Sequence, residues 1–425
     1  MSCGASIRSL MSGRVAAGLA ISLLISVLIA PAGAADAIKI GFSMGLTGAN
    51  APNGKQLLAA LQIWRDDVNA KGGLLGRPVE FVYYDDQTLP ANEPAIYTKM
   101  IEVDKVDLLI GPYGTNQIAA GLPVIMQHNL TTVGILGLAA NSGYHYANYF
   151  AMIPLGENPK RSFSEGFFEV AAAQNPKPKT VAIVGADAEF GKTSTDGARD
   201  NAKALGFTVV YDKLYPPPTV DFAPVVRAIK ATEPDMVFVA SYPPDTVNFI
   251  RAANETGLEP KLFGGTMIGL LATPFKLQLG PLMNGIVNHE DFVPAANFKF
   301  TGTEELLKKY QALAPGLGID PLGYAFPPFG YAAAEVLGQA VEATKSLDHA
   351  KLADYMRSHS FKTVVGEVAF GKDGEWVRPR GIVTQWQHVS GNDLAQFKDM
   401  SHQVIVWPKE LKTGDIIYPY GEARK

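Results

Sequence analysis

Val106-Asp107-Leu108-Leu109-Ile110-Gly111-Pro112-Tyr113-Gly114-Thr115 opens the stretch that decides the fold, and Thr131-Thr132-Val133-Gly134-Ile135-Leu136-Gly137-Leu138-Ala139-Ala140-Asn141 closes it. Val106 and Leu108 to Ile110 make the short apolar run of a strand buried on both faces of a parallel sheet, and Gly111 to Gly114 are turn residues that end it. Thr115 then stands where a helix N-cap belongs. Its hydroxyl and the unpaired N–H groups of the first turn point the same way, which makes a small anion site without any basic side chain. The helix is expected from Asn116 to about His128, kinked at Pro123. A second buried strand, Thr131 to Leu136, ends in the small residues Gly137 to Asn141. Two strand ends thus present two loops side by side, and in an open parallel sheet that crevice is where ligands bind. Ordinary βα turns share these features, so the stretch speaks for the fold more firmly than for a function.

At 425 residues the chain exceeds one ordinary core and divides into two lobes. It is 47% hydrophobic despite 42 Gly and 29 Pro, so it folds. A net charge of −4, with no Lys/Arg block and no acidic tail, argues against nucleic acid or a strongly basic protein as partner. Arg8 and Arg14 precede an apolar segment, Val15 to Ala30, and Ala32-Gly33-Ala34 supplies the small residues a signal peptidase needs. Residues 1–34 therefore read as a signal peptide, and the mature protein as periplasmic. A retained membrane anchor is the competing reading, disfavoured by the shortness of the run. Cys3, the only cysteine, lies in the removed segment, which leaves no disulfide, thiolate metal site or cysteine nucleophile.

Outward from the opening stretch the same alternation holds. Ala37 to Phe42 is a strand, and after the loop Gly45 to Gly54, Leu57, Leu61, Trp64 and Val68 recur at helical spacing as far as Gly72-Gly73. Val79 to Tyr84 is the next strand. From Thr180 the pattern restarts, with strands at Phe207 to Tyr211, Asp235 to Ala240, Lys261 to Gly264 and Gly285 to His289. Proline-containing crossings fall at Met152-Ile153-Pro154 and Phe292-Val293-Pro294, and Gly371-Lys372-Asp373-Gly374 signals a hairpin between Glu367–Phe370 and Gly381–His388. The expected fold is α/β: two doubly wound parallel-sheet lobes joined by a three-segment hinge. The first lobe comprises 35–153 and 291–364, the second 154–290 and 365–425.

Motifs that suggest enzymes do not fit their contexts. Gly41-Phe42-Ser43-Met44-Gly45 matches the nucleophile elbow of serine hydrolases, but a long loop follows where a helix should begin at once. Gly185 to Thr193 resembles a phosphate-binding loop, yet its glycines are one residue too far apart to close an amide cradle. Asp66-Asp67 and Asp85-Asp86 are adjacent pairs whose carboxylates diverge, so no metal site is expected.

Taken together the chain resembles the type I periplasmic binding proteins, specifically the branched-chain amino acid-binding (leucine-binding) family of ABC transporters, over nearly all of its mature length. Ile38-Lys39-Ile40-Gly41 with Leu46-Thr47-Gly48, Val68 to Gly73 through Gly76-Arg77 to Tyr84-Asp85-Asp86, and Ile110-Gly111-Pro112 carry the resemblance. It implies no enzyme and no cofactor, but a monomer that closes its lobes over a small-molecule carboxylate and delivers it to an ABC permease. It also implies a site. On the first lobe Thr115 receives the ligand carboxylate, beside Tyr113 and Gly114. Leu138, Ala139, Ala140 and Asn141 form a backbone pocket, and Asn53 closes over the ligand. On the second lobe the aromatic residues are Phe190 and Tyr242. Where amino acid-binding members place an acid for the ligand ammonium, this sequence has Thr266, followed by Met267. A buried ammonium without a counter-charge costs several kcal/mol. The expected ligand is therefore a carboxylate without an amine, an aromatic acid of the hydroxybenzoate or phenylpropenoate type. Pro321-Leu322-Gly323-Tyr324 and Tyr418-Pro419-Tyr420 also resemble the aromatic-acid branch. A branched-chain or other amino acid is the alternative, with Asp187, Glu189 or Asp245 supplying the charge. An exported serine hydrolase using Ser43 is the remote one.

Overall fold

Strands buried along both faces need helices on both sides, and that is how this chain is layered. The computed structural model describes residues 36–425, and the expected signal peptide lies outside the described residues. The first lobe holds β1 (Ile38–Met44), α1 (Ala51–Ala70), β2 (Val79–Asp85), α2 (Glu93–Glu102), β3 (Leu108–Tyr113), α3 (Thr115–Gln127), β4 (Thr132–Ile135) and β5 (Tyr149–Met152). Its sheet has the order β2-β1-β3-β4-β5, with every neighbouring pair parallel. The second lobe runs α4 (Pro159–Ala172), β6 (Thr180–Ala186), α5 (Glu189–Ala204), β7 (Thr208–Tyr215), α6 (Ala223–Lys230), β8 (Met236–Ser241), α7 (Pro243–Thr256), β9 (Leu262–Met267), α8 (Thr273–Leu279) and β10 (Val287–Glu290).

The chain then returns to the first lobe with α9 (Thr303–Leu317), α10 (Pro327–Thr344) and α11 (His349–Ser358). Leu337 and Val341 of α10 share a core with Leu57, Leu61 and Trp64 of α1, as expected of helices that lack a sheet of their own. A two-stranded antiparallel ribbon follows, β11 (Ser360–Thr363) and β12 (Gly366–Ala369). The final crossing leads to β13 (Ile382–Trp386), α12 (Leu394–Lys398) and β14 (Gln403–Trp407). β13 pairs antiparallel with β10, and β14 with β13, extending the second sheet to β14-β13-β10-β9-β8-β6-β7.

Two local expectations need correction. β3 does not stop at Gly111 but continues through Pro112 to Tyr113. Pro112 has no N–H for the ladder, and the pairing with β4 slips at that point. The turn Gly371–Gly374 does close a hairpin, with Phe370 bridging to Trp376 and Val377 N–H donating to Ala369 O, but the returning arm is not Gly381–His388, because β13 pairs with β10. Around the expected boundary at 364/365, Val365, Val368, Phe370 and Trp376 pack in the same core cluster as the strands of the first sheet. There the crossing segments clasp each other, with Arg380 N–H donating to Pro154 O at 2.7 Å and Leu155 bridging to Pro379. β14 at Gln403–Trp407 is a strand that the sequence pattern does not announce.

Gly264 shows how closely the second sheet is packed. A Cβ there would sit 1.6 Å from Val287 O, a backbone atom of the adjacent strand. Gly264→Ala should force β9 and β10 apart and cost on the order of 1–3 kcal/mol or more. A thermal midpoint equal to that of the wild type would show that the strands can separate freely.

Candidate functional site

The first lobe's wall starts where β3 ends. Tyr113 is buried, with its ring edge-on to Phe326 at 5.8 Å, and its hydroxyl accepts a hydrogen bond from Asn53 Nδ2 at 2.9 Å. Gly114, at φ 93°, turns the chain into α3. It is Gly114, not Thr115, that stands at the N-cap, and Thr115 is the first helical residue. Its hydroxyl does not serve its own helix but accepts the N–H of Leu138 at 3.0 Å, locking the β3 and β4 loops together. The first N–H to find an acceptor in α3 is that of Ile118, on Gly114 O, so the turn before it keeps its donors for whatever lies in front. The β4 loop is strained: Leu136 (φ 51°) and Ala139 (φ 49°) are left-handed without being glycine.

The second lobe answers with the starts of two helices. Phe190 lies at the second position of α5, and Tyr242 directly precedes α7. Their rings meet at 5.5 Å, with Phe163 behind Phe190 at 6.0 Å. Asn116 ties the lobes together. Its Nδ2 donates to the Tyr242 hydroxyl at 2.6 Å and its Oδ1 accepts the Phe190 N–H at 3.0 Å. Between these walls lies a small cavity with about 50 Å3 of free space. Burial pushes the Tyr242 phenol up to about 12 and the Tyr113 phenol also well above its ordinary value, so both remain protonated donors at neutral pH.

Of the residues expected at the site, Tyr113, Gly114, Thr115, Leu138, Phe190 and Tyr242 line this cavity, and Asn53 reaches it through Tyr113. The others are placed differently. Ala139 and Ala140 are buried behind Leu138. Asn141 staples its loop, with Nδ2 donating to Tyr146 O and Asp373 O and Oδ1 accepting the Tyr146 N–H. Thr266 is inside β9, its hydroxyl 2.7 Å from that of Ser194, while Met267 is fully buried in the second lobe's core. The chain turns toward the cavity only after β9, so Ile268 and Leu271 line it instead.

One finding overturns an expectation outright. Asp291, at the second crossing, lines the cavity and is the one charged side chain among the described residues to do so. Its Oδ1 lies 3.2 Å from His289 Nε2. The acids considered from sequence lie elsewhere: Asp187 pairs with Lys192 at 2.8 Å, Asp245 accepts the Tyr215 hydroxyl at 2.9 Å, and Glu189 is exposed. Asn116, Leu136, Ile153, Phe163 and Phe326 also line the cavity without having been singled out. Asn116 had a signal, as the neighbour of Thr115 on the exposed first turn.

Ser43 is no nucleophile. It is fully buried, and its hydroxyl donates to Glu93 Oε2 at 2.6 Å. Among the described residues, no group of three or more His, Cys, Asp or Glu could hold a metal, and no helix is long and apolar enough to cross a membrane.

Comparison with known proteins agrees with this architecture. A relative from Brucella abortus, "Leu/Ile/Val-binding protein homolog 8", is 26% identical over 387 residues, spanning 88% of this chain and 94% of the relative. Among solved structures, a solute-binding protein from R. palustris in complex with benzoate superposes with a TM-score of 0.72 at 20% identity, over 87% of this chain and 95% of that one. The substrate-binding protein LivJ of Streptococcus pneumoniae in complex with isoleucine gives 0.71 at 17% identity, over 90% and 100%. At such identities these structures speak to the two-lobed fold. The family model described as periplasmic binding protein matches residues 37–392, so this chain belongs to the periplasmic binding protein family.

Proposed function

We propose that the mature protein is the periplasmic receptor of an ABC importer. It would close as a monomer over a small carboxylate, an aromatic acid of the hydroxybenzoate or phenylpropenoate type, and deliver it unchanged to a membrane permease. The observation that carries this reading is the state of the cavity's hydroxyls. Thr115 already accepts from Leu138 N–H, Tyr113 from Asn53 and Tyr242 from Asn116. A hydroxyl that accepts one hydrogen bond still has its proton to donate, and three of them around one cavity suit a negatively charged head. The rings of Phe163, Phe190, Tyr242 and Phe326 and the side chains of Leu138 and Ile268 suit a flat apolar body. The benzoate-bound relative of similar fold is compatible with this choice.

A second reading is favoured by Asp291: an amino acid whose ammonium meets that carboxylate, in keeping with the names of the Leu/Ile/Val-binding relatives. Calorimetric titration of the purified protein with 4-hydroxybenzoate, cinnamate and leucine separates the two. Binding of the aromatic acids and silence toward leucine is the expected result. Tight leucine binding with no heat from either aromatic acid would replace the first reading by the second.

A further inference from the structure

A carboxylate in a mostly apolar cavity is costly unless donors meet it. Asp291 is such a group. Its side chain is only 10% exposed and His289 Nε2 meets Oδ1 at 3.2 Å, whereas Oδ2 has no donor among the described residues. The imidazole is held in place by more than this contact, since its ring packs on Phe163 at 4.5 Å and Gly381 leaves no room for a side chain beside it. Tyr113, Thr115 and Tyr242 bring hydroxyl donors to the cavity wall, and Asp291 is the lining residue that brings a carboxyl acceptor. A benzoate-like ligand without substituents would satisfy the donors and leave Oδ2 bare. A ring hydroxyl would complete it.

We propose that Asp291 is a specificity determinant that accepts a hydrogen bond from a hydroxyl on the ligand's ring, with His289 orienting its carboxylate, so that the cleft selects ring-hydroxylated acids over unsubstituted ones. This inference rests on the aromatic-acid reading of the same cavity. A charge-assisted hydrogen bond in a dry site corresponds to about 10- to 100-fold in affinity.

The test is a titration of wild-type, Asp291→Ala and Asp291→Asn proteins with benzoate, 4-hydroxybenzoate and leucine. The wild type should prefer 4-hydroxybenzoate to benzoate by about tenfold or more. Asp291→Ala should lose that preference while binding benzoate at least as well as the wild type. Asp291→Asn, which keeps a neutral carbonyl acceptor, should fall between. Equal wild-type affinity for the two acids overturns the inference while leaving the aromatic-acid reading in place. So does a parallel loss for both acids in Asp291→Ala, which would mark a structural role. Leucine binding that disappears in Asp291→Ala, with no binding of either aromatic acid, overturns both.

Discussion

Titrated with 4-hydroxybenzoate, Thr115→Val protein is expected to bind on the order of 10- to 100-fold more weakly than the wild type, the usual worth of a hydrogen bond to a charged group. Valine keeps the shape of threonine and removes only the hydroxyl. Two losses follow. The proposed donor to the ligand carboxylate disappears, and the Leu138 N–H, which now donates to Thr115 Oγ1 at 3.0 Å, loses its acceptor in a buried loop. The second loss loosens the contact between the β3 and β4 loops, so the drop should exceed that of a donor at the rim. Thr115→Ser, which restores the hydroxyl, should recover most of the affinity. Calorimetry on the three proteins decides the matter: unchanged binding by Thr115→Val would move the carboxylate seat away from the start of α3.

The second large effect concerns stability and pH. Glu93 is fully buried at the start of α2. Ser43 donates to its Oε2, while Oε1 and the nearby Asp86 Oδ2 have no hydrogen-bond partner. Burial, above all, pushes the Glu93 carboxyl up to about 9, with the Asp86 charge adding to it, and burial likewise raises Asp86 to about 6. A carboxyl that holds its proton more tightly folded than unfolded contributes stability that is complete below its unfolded pKa and is lost as pH rises toward the folded one. For Glu93 that window runs from about 4.5 to about 9. Within it the unfolding free energy should fall steadily as pH rises. Glu93→Gln, neutral at every pH and able to keep the bond from Ser43, should flatten this slope. Denaturant unfolding of both proteins at pH 6 and pH 9 measures it, and parallel losses would assign the alkaline instability to other groups.

The architecture was readable from sequence because period and punctuation agree. β1, β3, β6 and β8 are apolar runs ended by small residues, and α1 shows Leu57, Leu61 and Trp64 at helical spacing. What escaped was whatever depends on strand exit rather than strand identity. Position along the chain places Thr266 and Met267 at the cleft, yet β9 continues through both, and only Ile268 leaves the sheet. Asn141 has the look of a ligand contact and proves to be a loop staple, which depends on Tyr146 and Asp373 folding back against it. Asp291 was overlooked because a single acid beside a proline-containing crossing carries no periodicity. Only the meeting of three chain crossings brings it to the cavity.

Asn116 joins the two halves through the Phe190 amide and the Tyr242 phenol. Both handholds belong to one short side chain, so its loss would release the starts of two second-lobe helices at a stroke.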